Sequence, residues 1–157
     1  MRILFVSLGC DKNLVDTEMM LGLLAEKGYT FTDDESEADV AVVNSCCFIN
    51  DAKEESINTI LQLAELKKEG QLKALIVCGC LAQRYQDEIR TEIPEVDAIM
   101  GTTAIDRIVE TVEEVLAGRG KNHLEDIDRP CVYGTPRSVT TGGHFAYLKI
   151  AEGCNKR

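Results

Sequence analysis

No apolar run in this sequence approaches the ~20 residues that span a membrane, and the first residues lack a signal-peptide layout. A cytoplasmic location is the expectation. Internal repeats and low-complexity tracts are missing too, so one globular unit with a tail is the default for 157 residues. Positive charge is scarce: 17 Lys and Arg against 27 Asp and Glu leave a formal charge of −10. That surplus repels phosphate backbones, so direct nucleic-acid binding by this domain is not expected. A local C-x-x-C pair is also absent, and the cysteines number seven, which is odd. A disulfide framework explains them poorly, and metal binding competes with plain burial. Finally, no glycine-rich loop is present to cradle phosphate, which argues against a flavodoxin-like module binding a phosphate or flavin.

What is present is a regular alternation. Arg2 to Leu8, Asp39 to Cys46, Lys73 to Cys80 and Val96 to Gly101 read as strands, with Tyr29 to Thr32 a weaker one. Ile57, Ile60, Leu61 and Ala64 repeat at helical spacing, as do Ile105, Ile108, Val109, Val112 and Leu116. Further helices are expected from about Leu14 to Lys27 and from about Ala82 to Glu92, stopped by Pro94. Asn50 or Asp51 suits one helix start, Thr103 with Asp106 forms a capping-box pattern at another, and Gly70 and Gly118 suit helix ends. Strand and helix in alternation imply an α/β fold: a parallel five-stranded sheet with helices on both faces, a flavodoxin- or Rossmann-like three-layer sandwich. Periodicity stops from Arg119 to Gly143, where Pro130, Gly134, Pro136, Gly142 and Gly143 interrupt the chain. The division is therefore a domain over 1–118, a linker over 119–143, and the start of a second domain over 144–157, opening with a strand at Phe145 to Ile150.

Ligands of such sheets sit beyond the carboxyl ends of the strands. Cys10, Cys46 and Cys80 follow the first, third and fourth strands, so the topology carries all three to one edge. Any one cysteine alone reads as core packing. Three at one edge point to a metal or cluster, while Cys47 or Cys78 as a fourth thiolate keeps a closed zinc site in contention. Otherwise Cys47 and Cys78 read as packing, Cys131 as incidental, and His123 and His144 as solvent-facing. Asn13 and Ser45 either tune the site or satisfy turn backbone. Glu18, Gln83 and Arg84 read as surface residues near helix starts.

The segments around these cysteines resemble the methylthiotransferase branch of the radical S-adenosylmethionine enzymes. Ser7-Leu8-Gly9-Cys10-Asp11-Lys12-Asn13-Leu14-Val15-Asp16-Thr17-Glu18 is similar to that family's opening motif. Asn44-Ser45-Cys46 with Phe48 to Ile57 resembles its second, and Gly79-Cys80-Leu81-Ala82-Gln83-Arg84-Tyr85 its third. Lys149-Ile150-Ala151-Glu152-Gly153-Cys154 resembles the approach to the radical domain, where family members continue into a C-x-x-x-C-x-x-C loop. Here Asn155, Lys156 and Arg157 fill the spacer.

The resemblance implies that Cys10, Cys46 and Cys80 hold an auxiliary 4Fe-4S cluster with one iron free of protein ligands. It also implies that Cys154 is the first ligand of a second 4Fe-4S cluster, the one that cleaves S-adenosylmethionine. With one ligand of that second site, the chain alone is expected to be inactive. Lys12-Asn13-Leu14-Val15-Asp16 and the Phe48-Ile49, Ala52-Lys53, Glu55-Ser56 pattern resemble the enzymes that modify an aspartate of small-subunit ribosomal protein twelve. The alternative within the family is the enzyme that modifies a transfer-RNA adenosine. A basic ribosomal protein as partner agrees with the acidic charge.

Overall fold

The structure, a computed structural model, describes residues 1–130 and 134–151. Cys131 and Cys154, with their neighbours, lie outside the described residues. Among the described residues five strands form: β1 (Arg2–Ser7), β2 (Thr30–Thr32), β3 (Val40–Ser45), β4 (Ala74–Gly79) and β5 (Ala98–Met100). Between and after them run α1 (Asp11–Glu26), α2 (Asn50–Lys68), α3 (Cys80–Arg84), α4 (Gln86–Glu92) and α5 (Ile108–Leu116). All pairings are parallel, in the spatial order β2-β1-β3-β4-β5. The order reverses between β1 and β3, so the topological switch point falls there.

β3 and β4 are buried at every position, because helices cover both faces and the strands read as near-continuous apolar runs. Side chains alternate between the faces. Val40, Val42, Ala74 and Ile76 pack with Met20 and Leu24 of α1 and with Ile108 and Val112 of α5. Ala41, Val43, Leu75 and Val77 pack with Ile60 and Leu63 of α2, Leu81 of α3 and Ile89 of α4. This is the expected three-layer arrangement. Among the described residues no helix is long and apolar enough to cross a membrane.

Several local expectations need correction. The helix expected from Ala82 to Glu92 is broken at Tyr85, whose φ of −121° and ψ of 34° leave the helical region. The break seats the Tyr85 ring under the Lys53 ammonium, 4.0 Å from the ring centroid. Neither Asn50 nor Asp51 caps α2; the helix begins at Asn50, with Ile49 in the extended cap conformation. The capping box at Thr103 and Asp106 does not form either. Those side chains are engaged elsewhere, Thr103 Oγ1 donating to Asp126 O at 3.0 Å and Asp106 receiving both terminal nitrogens of Arg129. A short 3-10 turn, Ile105–Arg107, leads into α5 instead. Gly70 and Gly118 do close their helices, at φ +80° and +68°.

Described residues of the segment read as a linker pack on the domain. His123 extends the sheet edge by a parallel bridge to Met100, and its ring is buried with Nε2 2.9 Å from Glu114 Oε2. It is therefore not solvent-facing, whereas His144 is exposed. Phe145 to Ile150 forms no strand, since no partner strand lies beside it among the described residues. It runs instead along the start of α1, where Tyr147 to Ala151 and Asp11, Lys12 and Val15 line a cavity of about 230 Å³.

Candidate metal centre

Cys10, Cys46 and Cys80 stand immediately beyond β1, β3 and β4, three adjacent strands. Cys10 is exposed, Cys80 half-buried and Cys46 buried. Two glycines allow this convergence. Gly9 has φ +106°, and a Cβ there would fall 2.9 Å from Cys46 Sγ, so the Cys10 loop lies directly against Cys46. Gly79 has φ +91°, and a Cβ there would fall 2.4 Å from Asn44 Oδ1 and 2.5 Å from Ser45 O. Only glycine brings β4 this close to the β3 loop while turning the chain into α3 with Cys80 as its first residue.

A web of polar side chains ties the three loops together. Asn13, buried in the first turn of α1, donates from Nδ2 to Leu8 O at 3.1 Å, Ser45 O at 3.2 Å and Asn44 Oδ1 at 3.4 Å. Its Oδ1 faces Cys10 Sγ at 3.6 Å and Cys80 Sγ at 3.9 Å, accepting from both thiols. Asn44 Nδ2 donates to Asn13 O at 2.9 Å and Thr17 Oγ1 at 3.1 Å, and Thr17 passes its hydrogen to Ser7 Oγ at 2.9 Å. Ser45 Oγ donates to Cys78 O at 2.5 Å. Ser56, fully buried on α2, accepts from Cys46 N at 2.9 Å and donates to Cys46 O at 3.1 Å. Asn13 thus satisfies the backbone of two loops and also faces two of the three thiols, and Ser56 carries no sequence signal of its own.

Burial raises the Cys80 thiol above its ordinary range, and the neighbouring Cys46, Cys47 and Cys10 raise it further while Lys12 opposes them. The sulfurs therefore feel one another. Among the described residues, no three His, Cys, Asp or Glu side chains converge closely enough to hold a single metal ion. A cluster distributes its thiolates over separate irons and asks for a wider triangle of sulfurs than one ion does. Soft donors at one half-sheltered edge suit iron–sulfur or zinc chemistry rather than magnesium or calcium. Cys78 cannot complete a closed zinc site, because it is 1% exposed and packs among Ile3, Met20 and Met100. Burial pushes its thiol far up. Cys47 is half-buried against the apolar layer on the other face of the sheet, the one covered by α2, α3 and α4.

On the far side of α1 the chain returns as a strap. Glu18, read from sequence as a surface residue, is fully buried. Its Oε2 receives Arg137 Nε at 2.8 Å and Nη2 at 2.5 Å, and its Oε1 receives Thr140 N at 2.6 Å and Thr140 Oγ1 at 2.8 Å. Burial by itself would raise the Glu18 pKa, but the donors from Thr140 and Arg137 outweigh it and hold the carboxyl below its ordinary range. Two residues earlier on α1, Asp16 pairs with Lys149 Nζ at 2.5 Å, both side chains under 10% exposed. Gly22 presents bare backbone to the strap: a Cβ there would fall 2.4 Å from Pro136 O. Gln83 serves the sheet edge, its Oε1 accepting from Thr102 N at 3.2 Å, and Arg84 is exposed.

Residues 2–101, which include all three loops, match the family described as Uncharacterized protein family UPF0004. The chain belongs to that family. Relatives of this UPF0004 chain include the ribosomal protein uS12 methylthiotransferase RimO of Lachnoclostridium phytofermentans, 60% identical over 156 residues, covering 99% of this chain and 36% of the relative. The protein of the same name from Solibacter usitatus is 52% identical over 157 residues, covering 99% and 32%. That of Clostridioides difficile is 51% identical over 155 residues, covering 99% and 35%. The chain thus spans about a third of the length of these relatives.

Proposed function

We propose that Cys10, Cys46 and Cys80 hold a 4Fe-4S cluster, and that the chain is the sulfur-delivering N-terminal part of a methylthiotransferase acting on an aspartate of ribosomal protein uS12. The observation that carries this is the placement of three thiols beyond three adjacent strands, in loops tied to one another through Asn13. Three thiolates leave one iron of such a cluster without a protein ligand, and an open coordination position is where the group's chemistry takes place. The protein's own contribution is to hold the three sulfurs apart at fixed spacing, to shelter Cys46 from water and to keep Cys78 out of the ligand set. The names of the relatives support uS12 as substrate, and the acidic chain is complementary to a basic ribosomal protein. Under the same reading Cys154 begins a second cluster site, residues 119–143 connect to it, and S-adenosylmethionine is used by that further part.

Anaerobic reconstitution with iron and sulfide, followed by Mössbauer spectroscopy, tests the reading. The wild-type chain is expected to take up a cluster, and Cys10→Ala, Cys46→Ala and Cys80→Ala each to lose its absorbance. A colourless protein with stoichiometric zinc after reconstitution sinks the proposal.

A further inference from the structure

The orientation of the Asn13 amide follows from its neighbours without any hydrogen being located. Asn13 O is a backbone carbonyl and only accepts, so the Asn44 atom 2.9 Å from it is the donor nitrogen, Nδ2. Asn44 Oδ1 is then an acceptor and faces the Asn13 amide. Leu8 O and Ser45 O are acceptors as well. Three acceptors around one end of the Asn13 amide fix that end as Nδ2. The other end, Oδ1, is thereby committed to Cys10 and Cys80. Turning the amide over would set one oxygen against three, inside a pocket where Asn13 is 4% exposed.

We infer that Asn13 is a positioning residue that presents a locked carbonyl dipole, negative end first, to the metal group held between Cys10 and Cys80. The inference rests on the proposed ligand set and adds a role to it. Metal binding requires the cysteines as thiolates, which no longer donate to Oδ1. The oxygen then faces two anionic sulfurs, an arrangement that is favourable only with positive charge between them. Asn13 consequently favours a filled site over an empty deprotonated one. Its dipole opposes the addition of an electron to the bound group, since charge and hydrogen bonding around the sulfurs set the potential. A side chain that merely satisfied turn backbone would do neither.

The test is redox titration of the reconstituted 157-residue chain and two variants, with circular dichroism to establish folding. Asn13→Ala removes the dipole and is expected to move the midpoint potential in the positive direction. Asn13→Asp places a full negative charge at the same position and is expected to move it the other way. Opposite shifts are the signature; equal potentials, or shifts of one sign, overturn the inference. Should neither variant retain a cluster, the reduced wild type labelled with side-chain-carbonyl-13C asparagine is compared with the identically labelled Asn44→Ser chain. A resolved electron–nuclear coupling present in both belongs to Asn13 and supports the role; no coupling, or one lost with Asn44, overturns it. Failure of the wild type itself to take up iron counts against the ligand set, not against Asn13.

Discussion

Glu18 and Arg137 lie 119 positions apart in sequence, yet the guanidinium grips one carboxylate oxygen with two nitrogens inside a site where Glu18 has no exposure. The pair fastens the returning chain to the helix whose first turn carries Asn13.

Removing the carboxylate strands Arg137 and the Thr140 amide together. Breaking a buried pair from one side costs about 3 kcal/mol at the low end of its range, and Arg137 can partly turn to water. Glu18→Ala is expected to lose about that much stability in urea unfolding. Trypsin should also cut after Arg137 at least tenfold faster than in wild type.

Acid should release the same strap. A glutamate whose folded pKa is depressed contributes stability that is complete above its unfolded value of about 4.3 and is lost as pH falls through the lower folded value. The Thr140 amide donates to the carboxylate and the Ser138 amide to Glu18 O at 2.9 Å. Their protection, taken as the exchange rate relative to the intrinsic rate at each pH, is therefore expected to hold steady near pH ~6 and to fall below pH ~4. In Glu18→Gln the pH dependence of this protection should flatten.

Gly22→Ala sets two effects against each other. In an exposed helix interior the change stabilises by about 1 kcal/mol. Here the new methyl meets Pro136 backbone at 2.4 Å, and backbone cannot be pushed aside cheaply. The expected outcome is a strap open to trypsin with α1 still intact by circular dichroism.

Ser56→Ala leaves both polar groups of the Cys46 backbone without their partner in a buried place, a loss of about 1–3 kcal/mol. Cys78→Ser similarly buries a hydroxyl within β4 and should lower the melting temperature. Iron uptake per folded chain is expected to fall in the first and to stay at the wild-type level in the second, as measured by metal analysis.

The sheet was legible because its strands are apolar runs bounded by polar turns, and because alternation with helices admits few topologies. Each of the five strands of the sheet lies within two residues of its expected bounds, and the carboxyl edge holding Cys10, Cys46 and Cys80 follows from order alone, whereas the strand expected over Phe145 to Ile150 does not form. Single side chains were not legible. Glu18 carries no mark of burial in a helix that also bears exposed Glu26, since its partner arrives from a region with no periodicity. His123 was missed for the same reason: a one-residue bridge to Met100 leaves no pattern. Tyr85 ends α3 by its own backbone angles, and nothing in Cys80 to Glu92 signals a break before Pro94.

The neighbour relations of β1, β3 and β4 also set a timetable for the newborn chain. Cys10 leaves the ribosome early, but its strand finds β3 only after β2 has been made, and β4 docks later still. Until residue 80 has emerged and the second crossover has closed, no two-dimensional edge exists on which three thiols can stand. Under the proposed ligand set, a group held by all three thiols would find its full set of donors only on chains whose core is already closed, so closure of the core would precede loading.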